Sequence, residues 1–218
     1  MAVIYCIVLA AISFACLLIY QDYYCSGAGS ISGVIKNTMH MNIKKFLAGI
    51  FYIIFAVAFY IYMEADSPVL ARTLKYLAML LVLAAVAWID WKVRKIPNML
   101  VFVLICIRFL FFVYESIKEP DYISFNIIQM LFGAVLCLVI LLICRILVRN
   151  SIGMGDIKLF AVLGLYFGYD VIYVMFFSFL CTAVFSIYLL AFKKMKKKDS
   201  VPVGPFIFIG TVLSIIFI

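Results

Sequence analysis

Three observations predict an all-α, polytopic membrane protein. Of the 218 residues, 69% are apolar and 13% are charged, far from the balance of a soluble domain. The apolar residues gather into long runs, most of them long enough to cross a bilayer as helices. The charged residues lie mainly between those runs and alternate in sign along the chain, as loops on opposite sides of a membrane do. About eight transmembrane helices are expected. The formal net charge of +8 does not point to nucleic acid, because the bases mark loop positions. No polar stretch is long enough for a large soluble domain, and no internal repeat is visible.

Each run has its own justification. Residues 2–20 lack the basic start and cleavage site of a secretory signal peptide, so they are expected to remain as a helix. A polar stretch, 21–45, follows with Gly27, Gly29, Gly33, Lys36, Lys44 and Lys45. The second run is 46–63, closed by the acidic turn Glu64-Ala-Asp-Ser-Pro68. The third is 70–89, with Arg72 and Lys75 near its start, where long side chains can snorkel. After the basic loop 91–95, Ile96-Pro97-Asn98 opens the fourth run, 99–114, with proline at the first helical position. That run carries Arg108 at depth, where a cation needs a partner or water; a salt bridge or snorkelling accounts for it better than catalysis. The fifth run is 127–148. The sixth, 157–167, is short for a crossing at about 1.5 Å per residue and must tilt, borrow neighbours or lie in a thinned region. Runs 171–192 and 202–218 complete the set, separated by the lysine-rich 193–198. The expected organisation is a single membrane domain, 1–218. Within it, 1–69 holds the N-terminal helices with the loop 21–45, and 70–218 forms the core.

The loops assign the sides. Lys36, Lys44, Lys45, Lys92, Arg94, Lys95, Arg145, Arg149, Lys158 and the lysines of 193–198 share one face. Glu64, Asp66, Glu115, Glu119, Asp121 and Asp170 share the other. The basic face is expected to be cytoplasmic, which puts both termini outside.

Two carboxylates stand at the ends of apolar runs on the basic face. Asp156 lies in Ser151-Ile-Gly-Met-Gly-Asp-Ile-Lys-Leu159, between two apolar runs, and Asp90 closes the run before Trp91-Lys-Val-Arg-Lys95. A carboxylate at the edge of a span is costly and marks a functional site by default. The bland alternatives are a capping aspartate in a solvated loop for Asp156 and a helix-boundary residue among Trp88, Trp91 and Lys92 for Asp90. Neither explains why both acids fall on the basic face. Two such carboxylates can form a dyad sharing one proton and hydrolyse an amide, one activating water and the other protonating the leaving amine. Gly153 and Gly155 tolerate positive φ and leave room for another chain to approach closely. The turn they form could also offer backbone for strand-like pairing with a substrate.

Three separated stretches resemble the prepilin peptidase family, the G-x-G-D aspartic proteases of bacterial membranes. They are Asp90 with Ile96-Pro97-Asn98, then Gly153-Met-Gly-Asp-Ile-Lys-Leu159, then Val201-Pro-Val-Gly-Pro-Phe206. The resemblance runs from about residue 70 to the end. It implies a membrane-embedded endopeptidase that removes the leader of type IV prepilins or pilin-like precursors, cutting after a glycine at the cytoplasmic face of the bacterial inner membrane. Asp90 and Asp156 would carry the chemistry. Ile96, Pro97, Asn98, Gly153, Gly155, Lys158, Pro202, Gly204 and Pro205 would support it. The partners implied are the precursor and membrane lipid, with no cofactor or metal. Lys158 would either favour an ionised Asp156 or mark the membrane boundary. Larger members of the family carry a zinc-binding insert with paired cysteines and also methylate the new N-terminus. Here only 21–45 with the single Cys25 stands in that place, which resembles the compact, peptidase-only branch that includes enzymes for Tad/Flp-type pilins.

The remaining chemistry-bearing residues are quiet. The cysteines, at 6, 16, 25, 106, 137, 144 and 181, form no C-x-x-C pair and read as small buried hydrophobes. His40 stands alone, without an H-E-x-x-H helix. Two rivals remain in other classes. A transporter or channel would use intramembrane charges and short helices, but its acids belong at the midplane. A presenilin-type protease shares G-x-G-D but expects its other aspartate in a Tyr-Asp pair inside a span.

Overall fold

The computed structural model describes residues 43–66, 70–147, 152–192 and 201–217, together with the single positions Ala11, Phe14, Ala15 and Leu18. These residues are almost entirely helical: α1 (Ile43–Asp66), α2 (Leu70–Val93), α3 (Asn98–Lys118), α4 (Ile123–Leu147), α5 (Met154–Phe167), α6 (Val171–Ala191) and α7 (Gly204–Phe217). Single 3₁₀ turns, Pro120–Tyr122 and Gly168–Asp170, join α3 to α4 and α5 to α6. Each apolar run from the second onward thus becomes one helix. Most of the run 2–20 and all of 21–42 lie outside the described residues. By length and composition, four stretches can cross a membrane: Ala71–Val93, Asn98–Lys118, Pro120–Leu147 and Met154–Ala191. Tyr52–Ile61 and Gly204–Phe217 are shorter apolar helices. An all-helical, multi-span membrane fold is therefore observed.

The chain divides into two compact units, Met1–Ala85 and Val86–Ile218, with α2 passing from one into the other. In the first unit, the Tyr52 hydroxyl donates to the Leu81 carbonyl at 2.7 Å, satisfying a polar group that burial would otherwise leave unpaired. The Phe14 ring packs against Tyr52 and lies over Gly49.

The second unit is built around α5. Beyond its first turn this helix is largely apolar, and Ile157, Leu159, Phe160, Val162 and Leu163 bury most of its circumference, leaving one strip, with Met154 and Lys158 exposed and Ala161 and Leu165 half-buried. The short sixth run is thus mostly buried among its neighbours, and together with α6 it forms the candidate span Met154–Ala191. At its far end Gly168, with φ +56, turns the chain into α6. Helix α4 runs antiparallel to α5. A Cβ on Gly133 would collide with the carbonyl oxygens of Gly164 and Gly168, so the two backbones meet without side chains between them. Helices α6 and α7 form a second antiparallel pair, with Ser178 against Gly210, Phe185 against Phe206 at 4.9 Å, and Phe177 against Phe217 at 5.6 Å.

Helix α3 lies parallel to α5. The Tyr166 hydroxyl donates to the Leu104 carbonyl at 2.8 Å. Arg108, only 5% exposed, donates through Nε to the Leu165 carbonyl at 2.8 Å and pairs with Glu115 at 2.9 Å. The buried cation is thus answered by a carbonyl near the C-terminal end of α5 and by a carboxylate two turns further along its own helix, so its role is structural. The cysteines fit their expectation only in part. Cys137 is buried, whereas Cys106 and Cys144 are exposed on the outer faces of their helices. A membrane helix can leave small apolar residues on its outer surface.

Candidate active site

The site grows out of four helix ends in the second unit. Helix α2 stops one turn beyond Asp90, where Arg94 adopts φ +55 and donates its amide to the Asp90 carbonyl at 2.8 Å. A left-handed residue at this point ends a helix sharply. The chain then runs extended through Ile96 to Pro97, whose carbonyl receives the Leu100 and Val101 amides at the start of α3. Pro97 is the N-cap of α3, with φ −70 and ψ 127, one position earlier than the sequence suggested. Its lack of an N–H costs nothing there, because the first amides of a helix have no partner within it. Asn98 becomes the first helical residue and accepts from Lys158 Nζ at 3.2 Å. Lys158 therefore ties the start of α5 to the start of α3.

Asp90 is 5% exposed, and the N-terminus of α7 holds it in place. The Gly204 amide donates to Asp90 Oδ2 at 2.8 Å, and the Val203 amide is turned to the same carboxylate. Both are orphan donors at a helix start, where a carboxylate is also favoured by the helix dipole. Gly204 must lack a side chain: a Cβ would stand 2.8 Å from Asp90 Cβ. Pro205, within the first turn, needs no hydrogen-bond partner for its nitrogen, and the Val203 carbonyl receives the Phe206 and Ile207 amides at 3.0 Å. Pro202 lies in the extended stretch leading in.

Asp156 occupies the third position of α5, and Gly153 is the N-cap. The Asp156 carboxylate reaches back to the Gly153 amide, the reciprocal half of a capping box. Asp156 is therefore not a loop residue at the N-cap, the position Gly153 takes, but a residue of the first turn that reaches back to it. It lies close enough to Asp90 for that carboxylate's charge to act on it. Residues 66 positions apart in sequence, as Asp156 − Asp90 gives, are brought to one place.

The glycines serve close approach, as expected, but not positive φ. Neither Gly153 nor Gly155 uses positive φ: Gly153 is extended, with φ −65 and ψ 143, and Gly155 lies in the first turn of α5. They are required for space. A Cβ on Gly153 would approach Asp156 Oδ2 to 2.9 Å, and one on Gly155 would approach Ile96 Cβ to 3.0 Å. Because α5 begins at Met154, no extended edge for strand-like pairing runs through Gly155. All three motif stretches therefore meet at points where a missing methylene lets them touch.

One contributor went unnoticed in the sequence. Arg145, near the end of α4, donates through its guanidinium to the Ile152 carbonyl just before Gly153. Only its charge at a loop boundary was visible. Among the described residues no group of three or more His, Cys, Asp or Glu side chains is placed to hold a metal ion.

Fold and site together define a polytopic helical membrane protein in which a buried carboxylate, Asp90, and a half-buried one, Asp156, lie beside helix N-termini within electrostatic reach of each other. The sequence pattern of the type IV leader peptidase family matches residues 77–187, half of the chain, and the protein belongs to that family. The match includes Asp90, Ile96–Asn98 and Gly153–Lys158, and stops short of Gly204. Neither the curated proteins nor the solved structures provide a match.

Proposed function

We propose that this protein is an aspartic endopeptidase that removes the leader from type IV prepilin-like precursors, with Asp90 and Asp156 as its catalytic pair. What supports the reading is that Asp90 and Asp156, from two separate motif stretches, lie within electrostatic reach of each other in a member of the leader peptidase family. The pair shares one proton. The ionised partner takes a proton from water as the oxygen adds to the scissile carbonyl carbon. The protonated partner gives its proton to the leaving nitrogen as the carbon–nitrogen bond breaks. The two protons belong to the pair rather than to fixed residues. Gly204 and Gly153 act as supports, each giving an amide to one carboxylate.

The finer reading has the protein in the bacterial inner membrane with about eight spans and both termini outside. Asp90, Lys92, Arg94, Lys95 and Lys158 then mark the cytoplasmic face, where a precursor presents its leader. The short loop 21–45 favours a peptidase without methyltransferase activity.

Co-expression with a candidate prepilin tests the proposal. Asp90→Asn and Asp156→Asn should each abolish cleavage while inserting normally, because asparagine keeps the shape but cannot exchange the proton. Asp121→Asn, exposed in the 3₁₀ turn beyond the far end of α3, should stay active. Substantial processing by either site variant removes that residue from the catalytic pair.

A further inference from the structure

The peptide unit between Ile152 and Gly153 is held from both sides. Its carbonyl accepts from Arg145 Nη1 at 2.5 Å. Its N–H, on the opposite edge of the same planar group, donates to the Asp156 carboxylate. Since a peptide is rigid and its two polar groups point in opposite directions, fixing the oxygen fixes the direction of the N–H. Donation from a cation to the oxygen also polarises the group and strengthens the N–H as a donor. Arg145 sits in the last turn of α4, which packs against α5, so its guanidinium refers the start of α5 to a rigid neighbour.

We propose that Arg145 is a positioning residue for Asp156, acting through the Ile152–Gly153 peptide to hold the carboxylate in its reactive orientation. This rests on the peptidase reading for its consequence in catalysis, but not for its geometry. It also assigns the arginine a job that a loop-boundary charge would not have. Lysine can reach a carbonyl with a single donor, though without the planar fork of arginine. Glutamine offers a neutral and shorter donor. The two substitutions therefore grade the interaction.

The test compares wild type, Arg145→Lys and Arg145→Gln as full-length protein in detergent micelles. The probe is a fluorogenic peptide with a short polar leader, a glycine and an apolar segment. Arg145→Gln should lower kcat by about tenfold or more with KM little changed, and Arg145→Lys should recover most of the loss. Hydrogen exchange at the Gly153 amide, followed by mass spectrometry, should be slow in wild type and faster in Arg145→Gln. A wild-type kcat in Arg145→Gln, a change confined to KM, or no recovery with lysine would overturn the proposal. Unchanged exchange at Gly153 would overturn it whatever the activity. Faster exchange in Arg145→Gln, with a wild-type enzyme that never cleaves the probe, would uphold the positioning and count against the peptidase reading instead.

Discussion

Gly204→Ala is the most direct test of how Asp90 is held. The added methyl carbon would stand 2.8 Å from Asp90 Cβ, 2.9 Å from Oδ2 and 3.2 Å from Cγ. Ordinary carbon–carbon contacts lie at about 3.5–4.0 Å, so the overlap with Cβ is roughly 0.7 Å or more. Asp90 Cβ is attached directly to α2 and cannot swing aside as the end of a long side chain would. Either the start of α7 or the aspartate must shift. Overpacking of this kind costs about 1–3 kcal/mol. The 2.8 Å bond from the Gly204 amide weakens with the shift, and a hydrogen bond to a charged group contributes about 1.5–3 kcal/mol. A displacement of about 1 Å at a reacting group lowers kcat by on the order of a hundredfold. The assay is initial-rate cleavage of a prepilin reporter in micelles, with helical content and thermal unfolding measured in parallel. The expected result is a folded protein with kcat down by about two orders of magnitude. A kcat within about threefold of wild type would refute the claim that this contact positions Asp90 for chemistry.

Two further substitutions probe the frame around the site. Gly133→Ala puts a methyl against the Gly164 and Gly168 carbonyl oxygens, both backbone atoms that cannot rotate away. Its thermal midpoint should fall by the equivalent of about 1–3 kcal/mol, and an unchanged melt would contradict the close approach of α4 and α5. Arg94→Gly removes the cost of holding a side chain at φ +55. It should gain up to about 1 kcal/mol in denaturant unfolding, and a clear loss of stability would show that the arginine side chain contributes more than its backbone costs.

The helices from the second apolar run onward were legible because each is a long hydrophobic stretch bounded by charge, proline or glycine, signals that act locally. The candidate site was legible for the same kind of reason: a carboxylate at the edge of an apolar run is expensive enough to stand out in one dimension. Asp90 and Asp156 could both be assigned to the basic face from loop charge alone. Their neighbours could not be ranked that way, since alternation of charge says which face a residue occupies and nothing about distance within it.

Tertiary structure decided what each small residue is for. Gly155 and Gly204 prove to be gaps into which the Asp90–Asn98 stretch fits, at Ile96 and at Asp90, while Gly153 makes room for Asp156 of its own stretch. Lys158 gained a partner in Asn98, 60 residues away, and Arg108 gained one in the Leu165 carbonyl, 57 away. Arg145 acquired its role only when the Ile152 carbonyl came within reach. The physical reason is common to all of them. Apolar runs, helix ends and topology follow from the free energy of each segment in its solvent, which the residues of that segment specify. Contacts of a few ångströms between segments depend on how the helices pack against one another, and that is a property of the whole chain.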